Sequence, residues 1–176
     1  MNTPNNKRKK SSIEKIEKTF LQLIQKKNIN EISVSIICEL SGLNRSTFYA
    51  NYIDIYDLVD KVRANMEDDF AEFQISQNSK QDANGYLNLF KYVKDNQIFF
   101  KTYFKLEAIS MTPAIHYNMD LAKKYYNNEY MDYHIEFFRA GLNAIIKKWL
   151  NNGCKETPEE MSKILIAEYK NKSDED

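Results

Sequence analysis

Glycine and proline are scarce in this sequence, with 4 Gly and 3 Pro in 176 residues. All-β folds place these residues at their many tight turns, so the scarcity argues against a sandwich or barrel. Cysteine is as rare: Cys38 and Cys154 stand alone, with no second Cys or His at metal-ligand spacing. Isolated thiols argue against a disulfide scaffold or a zinc site and predict a reducing, cytoplasmic setting. His116 and His134 are isolated too, and read as structural histidines rather than metal ligands. The apolar stretches are short and broken by charges, so neither a signal peptide nor a membrane span is expected. There is no P-loop, no dinucleotide-binding glycine pattern and no nucleophile elbow. Carboxylate pairs such as Asp68-Asp69 and Glu159-Glu160 read as solvated helix charges. Neither catalysis nor a cofactor is expected.

What is abundant is Lys, Glu, Leu, Ile and Asn, a composition of helices joined by short loops. The formal net charge is zero but unevenly spread. Met1 to Tyr52 holds nine Lys and Arg against four Asp and Glu, leaving 16 against 21 in the remainder. A basic head on an acidic body points to a polyanionic partner at one end, and double-stranded DNA is the leading candidate.

Residues 1–10 read as a disordered basic arm carrying Lys7, Arg8, Lys9 and Lys10, with a solvated tail as the plainer reading. Ser11 and Glu14 stand at capping-box spacing, and Ile13, Ile16, Phe20, Leu23 and Ile24 form one helical stripe. Ser33 is the next candidate N-cap, with Val34, Ile37 and Leu40 expected to face inward from a short second helix. Gly42 follows, where a left-handed residue turns the chain, and Asn44 opens a third helix, Arg45 to Asn51, anchored by Phe48. A fourth helix is expected from Asp54 to about Gln74, then a polar linker over 76–84. Further helical patterns lie around Tyr86–Val93, Ile98–Ile109, Leu121–Tyr126 and Glu129–Leu150, the last with Tyr130, Tyr133, His134, Phe137, Phe138, Leu142, Ile145, Ile146, Trp149 and Leu150 as its apolar positions. Gly153 ends the last of these, and Thr157 and Pro158 open the final helix before a frayed tail at 171–176.

Two short helices joined by a glycine-containing turn form the unit that sets a second helix into the DNA major groove. The exposed side of such a helix must offer small, hydrogen-bonding or cationic groups. Arg45, Ser46, Thr47, Tyr49 and Asn51 supply them, although Tyr49 could also simply pack. Helix starts at Ser33 and Asn44 would aim backbone N–H groups at phosphates, and the basic arm could follow the DNA backbone.

At this point the sequence resembles the TetR family of bacterial regulators, over roughly residues 10–60. The carriers are a first helix with Phe20, Ser-Val-Ser-Ile-Ile at 33–37, Leu-Ser-Gly-Leu-Asn-Arg-Ser-Thr-Phe-Tyr at 40–49, and Tyr52 followed by Asp54 to Leu58. The resemblance implies an all-α fold: a three-helix DNA-binding domain at 11–56, then a helical ligand-binding and dimerisation domain at 57–170. It puts DNA contacts on Ser33, Ser35, Arg45, Ser46, Thr47, Tyr49 and Asn51. Ile55 stands where many relatives carry a phosphate-clamping Lys, which removes one expected contact.

It also implies a homodimer in which the last two helices of each subunit form a four-helix bundle. The stripe Phe138, Leu142, Ile145 and Trp149, with Met161 and Leu165, is broad enough for both core and partner. A small-molecule effector would meet an aromatic pocket among Phe100, Tyr103, Phe104, Met111, His116, Tyr117 and Tyr126, unless these are plain core. The function expected is a ligand-responsive repressor on a palindromic operator. The alternative is an interaction protein or co-activator with weak or no DNA binding, which the Ile55 departure favours.

Overall fold

A computed structural model of the chain describes residues 4–77, 85–109 and 129–170. Every regular element among them is helical. In chain order they are α1 (Pro4–Ile24), a 3-10 turn (Ile29–Glu31), α2 (Val34–Ser41), α3 (Arg45–Tyr49), α4 (Ile55–Gln77), α5 (Gly85–Asp95), α6 (Gln97–Glu107), α7 (Met131–Asn151) and α8 (Pro158–Lys170). No described helix is long and apolar enough to cross a membrane. The described residues fall into two compact units, 4–68 with 102–109, and 69–77 with 85–101 and 129–170.

In the N-terminal unit α1 packs on α2 and α2 on α3. Ile16, Phe20 and Ile24 of α1 are wholly buried, together with Ile37, Phe48, Leu58 and Val59. This is the stripe that the four-residue spacing predicts, because residues four apart share a helix face. Two expectations are corrected here. The basic stretch expected as a disordered arm is helical from Pro4, so Ser11 lies inside α1 and caps nothing. Proline is tolerated in a first helical turn, and Lys and Arg propagate the helix that the Ile16–Ile24 stripe anchors. Leu40 is 62% exposed rather than inward, and Cys38 is buried instead.

The last half of α6 belongs to this unit as well. Lys105 Nζ donates to the carbonyls of Ile24 (2.7 Å) and Lys27 (2.8 Å), closing the C-terminal end of α1 with a cation where the helix dipole favours one. Tyr103 donates to Glu67 of α4 at 3.0 Å, and Glu67 pairs with the buried Arg63 at 3.3 Å. Burial, then the Glu67 charge, pushes the Tyr103 phenol well above its ordinary range, so it stays a neutral donor.

In the C-terminal unit α5 packs on α8. Phe90 meets Trp149 edge-on at 5.5 Å, and the Trp149 indole N–H donates to the Glu156 carbonyl at 3.1 Å. Ile135, Ile146, Leu150, Met161 and Leu165 complete this core. Ile135 is absent from the inward set read from the sequence, whereas Tyr130, Tyr133 and Phe137, which the pattern includes, are exposed. The helix expected at Leu121–Tyr126, most of the linker and the 171–176 tail lie outside the described residues.

Candidate nucleic-acid interface

Local chemistry shapes the turn between α2 and α3. The Ser33 hydroxyl accepts the Ile36 N–H at 3.3 Å and starts α2. Gly42, at φ 67°, ends it, with its N–H on the Glu39 carbonyl and the Leu43 N–H on the Cys38 carbonyl at 3.0 Å. These two bonds close a Schellman motif and redirect the chain. Asn44 then starts α3 through its carbonyl, which accepts the N–H groups of Thr47 and Phe48. The Asn44 side chain makes no cap bond.

Phe48 is the inward anchor of α3, its ring 5.4 Å from that of Tyr52. With Phe48 buried, the opposite side of a five-residue helix must face out. Arg45 and Ser46 are exposed, Tyr49 is 56% exposed, and Thr47 is half-buried. The Arg45 guanidinium donates to the Ser35 hydroxyl of α2, so two expected DNA-contact residues are joined to each other. That contact fixes the direction of a side chain otherwise free to rotate.

Asn51 is placed differently from the expectation. It follows α3, its Nδ2 donates to the Thr47 carbonyl at 2.8 Å, and its Oδ1 is buried with no hydrogen-bond partner among the described residues. Reading adenine needs both of those atoms, so in this arrangement Asn51 closes α3 instead. The sequence reading missed Lys61. Its ammonium donates to the Asn51 carbonyl (3.0 Å) and to Asp57 (2.9 Å), and lies 5.0 Å from the Tyr52 ring centroid. The i,i+4 pair Asp57/Lys61 was the available signal, but nothing in it pointed to the end of α3.

Arg8, Lys9 and Ser12 of α1 line a groove together with Ser46, Thr47 and Asn51. Lys7 and Lys10, equally exposed, do not line it. Ile55 is half-buried in the first turn of α4, behind Asp54, whose carboxylate accepts the Asp57 N–H at 2.9 Å.

The remaining expected sites divide. Phe100 is buried in the C-terminal unit, edge-on to Phe70 at 5.5 Å, whereas Tyr103 and Phe104 belong to the N-terminal unit. Met111, His116, Tyr117 and Tyr126 lie outside the described residues. Of the expected interface residues, Phe138, Leu142 and Ile145 are half-buried and Trp149, Met161 and Leu165 are buried, with Ile145, Trp149 and Met161 also lining a groove along α7 and α8. Phe137 (65% exposed) and Ile164 (45%) stand out beside Gly141 and Ile145 in the same groove.

Residues 82–168 match the TetR-type family model described as transcriptional regulator C-terminal region. Over 96 residues the chain is 35% identical to the HTH-type dhaKLM operon transcriptional activator DhaS of Lactococcus lactis subsp. lactis. That alignment covers 52% of this chain and 48% of DhaS, so the chain spans about half the length of the curated relative it matches. A solved structure of the dihydroxyacetone kinase operon activator DhaS superposes with a TM-score of 0.49 at 22% identity, covering 89% of this chain and 92% of that one. The C-terminal half of the chain, residues 82–168, belongs to the family of TetR-type transcriptional regulators.

Proposed function

We propose that this regulator binds double-stranded DNA as a homodimer, setting α3 of each subunit into successive major grooves of a palindromic operator. The observation that carries this reading is the outward side of α3, where Arg45, Ser46 and Tyr49 are exposed and Arg45 is held by Ser35. Arg suits bidentate recognition of guanine, and Tyr49 offers a ring and a hydroxyl to a base edge or sugar. Half-sites about one DNA turn apart follow from the two-fold symmetry.

In this reading residues 11–56, extended by the start of α1, bind DNA, and residues 57–170 dimerise and receive an effector. The apolar groove of α7 and α8, with Phe137 and Ile164 exposed, supports pairing with the same face of a second copy. A small-molecule effector that favours one arrangement of the dimer would shift DNA affinity by its differential binding. The buried, unpaired thiols suit work in the cytosol.

Repression is the direction the family resemblance implies. Activation is the second reading, and what favours it is the relative DhaS, whose name describes a transcriptional activator. Transcription in vitro from the promoter upstream of this gene separates them, since added protein lowers the transcript in one case and raises it in the other.

Binding itself is tested by fluorescence anisotropy on that upstream DNA, for the wild type, Arg45→Ala and Tyr49→Ala. Each variant is expected to lose about 1–3 kcal/mol of sequence-specific binding while keeping its helicity. A folded, dimeric wild type that fails to bind DNA at low salt would instead establish the interaction-protein alternative.

A further inference from the structure

The helical phase of α1 divides its basic stretch into two unequal halves. At about 100° per residue, Lys9 and Ser12 fall on the face that carries Ile16 and Phe20, and Arg8 stands about 100° to one side of its middle, beside Ser12. Lys7 and Lys10 lie about 150° away from the middle of the set Arg8, Lys9 and Ser12. Ile16 and Phe20 are wholly buried in the N-terminal unit. Two turns earlier the same face has run past the core and become cationic. There it borders the groove that Ser46, Thr47, Ala50 and Asn51 also line.

We infer that this groove holds one phosphate of the DNA backbone, with Arg8 and Lys9 supplying the charge and Ser46 and Thr47 the hydroxyl donors. The inference rests on the DNA-binding reading above and sharpens it. Cations and hydroxyls converging on one concave surface fit a tetrahedral anion. The Asn51 Oδ1, buried and without a hydrogen-bond partner among the described residues, offers an acceptor to a cation folding over that anion. One consequence concerns specificity. Ser46 and Thr47 position the protein on the backbone, and base reading is left to Arg45 and Tyr49. Lys7 and Lys10 contribute only diffuse charge.

The test compares two double variants that remove equal charge, Arg8→Ala/Lys9→Ala and Lys7→Ala/Lys10→Ala, in the full chain. Alanine preserves helix propensity, and all four side chains are exposed, so both variants should fold; circular dichroism checks this. Affinity for the upstream duplex is measured across a salt series. The Arg8/Lys9 variant is expected to show a log K against log salt slope shallower by about two, with specific and scrambled DNA weakened alike. The Lys7/Lys10 variant is expected to keep the wild-type slope.

Equal loss in the two variants, or loss in neither, overturns the inference while leaving DNA binding intact. A wild type without salt-dependent binding removes the underlying reading and this inference with it. Duplexes carrying one neutral methylphosphonate at a time give an independent readout. Wild-type affinity should drop at a single backbone position in each half-site, and the Arg8/Lys9 variant should be indifferent there. A variant still sensitive at every position would also overturn the inference.

Discussion

The turn after α2 and the turn after α7 are built alike. Gly42 (φ 67°) and Gly153 (φ 76°) each take the left-handed conformation. The next residue's N–H then reaches back five positions, from Leu43 to the Cys38 carbonyl at 3.0 Å and from Cys154 to the Trp149 carbonyl at 2.9 Å. The helices that follow differ. Asn44 starts α3 without a side-chain cap. The start of α8 has a reciprocal capping box, with the Glu160 N–H on the Thr157 hydroxyl at 3.2 Å and the Thr157 N–H on the Glu160 carboxylate at 2.7 Å. Helix α3 is a five-residue element anchored by Phe48, and its free side is cationic and hydroxylic. Helix α8 runs for 13 residues, buries Met161 and Leu165, and leaves the apolar Ile164 outside near Phe137. One turn design therefore serves a surface suited to a polyanion and another suited to an apolar partner. The turn sets direction, and the side chains beyond it set chemistry.

The contrast breaks most severely in the core. Trp149→Ala should cost about 3–5 kcal/mol, through lost volume and an unpaired Glu156 carbonyl. Chemical denaturation reads the loss, and hydrogen exchange should place it in the C-terminal unit, with α1 to α3 still protected. Phe137→Glu probes the apolar surface instead. It should leave helicity unchanged but weaken the proposed dimer by about 2 kcal/mol or more, read as dissociation in sedimentation velocity. A dimer indifferent to this change would move the partner surface away from α7.

The two glycines provide a smaller and more symmetric test. A Cβ at either Gly42 or Gly153 meets nothing within 4 Å, so only backbone strain opposes alanine. Gly42→Ala and Gly153→Ala should each cost about 1–2 kcal/mol by thermal denaturation. A much larger loss at Gly42, or a loss of DNA binding beyond its loss of stability, would show that α3 depends on its turn more than α8 does.

The smallest effect is a pH dependence at Asp57. Burial works against its ionised form, but the Ile53 N–H (2.8 Å) and Lys61 (2.9 Å) prevail and hold the carboxyl below its ordinary value. A depressed folded value stabilises the fold above the unfolded value of about 4, and that stability is lost as pH falls through the folded value. Asp57→Asn should therefore cost a few tenths of a kcal/mol at pH 6, the scale of exposed pairs, and nothing near pH 2. Equal stability of the two proteins at pH 6 would remove Asp57 from the account of how α4 begins.

Much of the local structure could be read directly from residues. Ser33, Gly42, Thr157 and Pro158 mark helix ends because each satisfies or relieves backbone groups that the helix leaves unpaired. The Ile16–Phe20–Ile24 spacing marks an inward face for a similar reason, since only one side of α1 is apolar. Helix α7 was ambiguous by the same rule. Apolar residues surround it, so periodicity does not choose between Ile135, which is buried, and Phe137, which is exposed. Leu40 failed similarly: one apolar residue near a helix end carries no phase, and Cys38 took the inward place.

The sequence by itself determined the all-helical class, the turn between α2 and α3, and which residue types α3 carries, because caps and glycines act within four or five residues. Only tertiary structure decided that Ser35 holds Arg45, that Lys61 meets the end of α3, and that Lys105 closes α1. It also decided that Arg8 and Lys9, and not their basic neighbours, border α3. Those contacts join residues distant in the chain, and their existence depends on how each helix is rotated about its axis. That rotation is fixed by the packing of all the buried faces together and is written in no single segment.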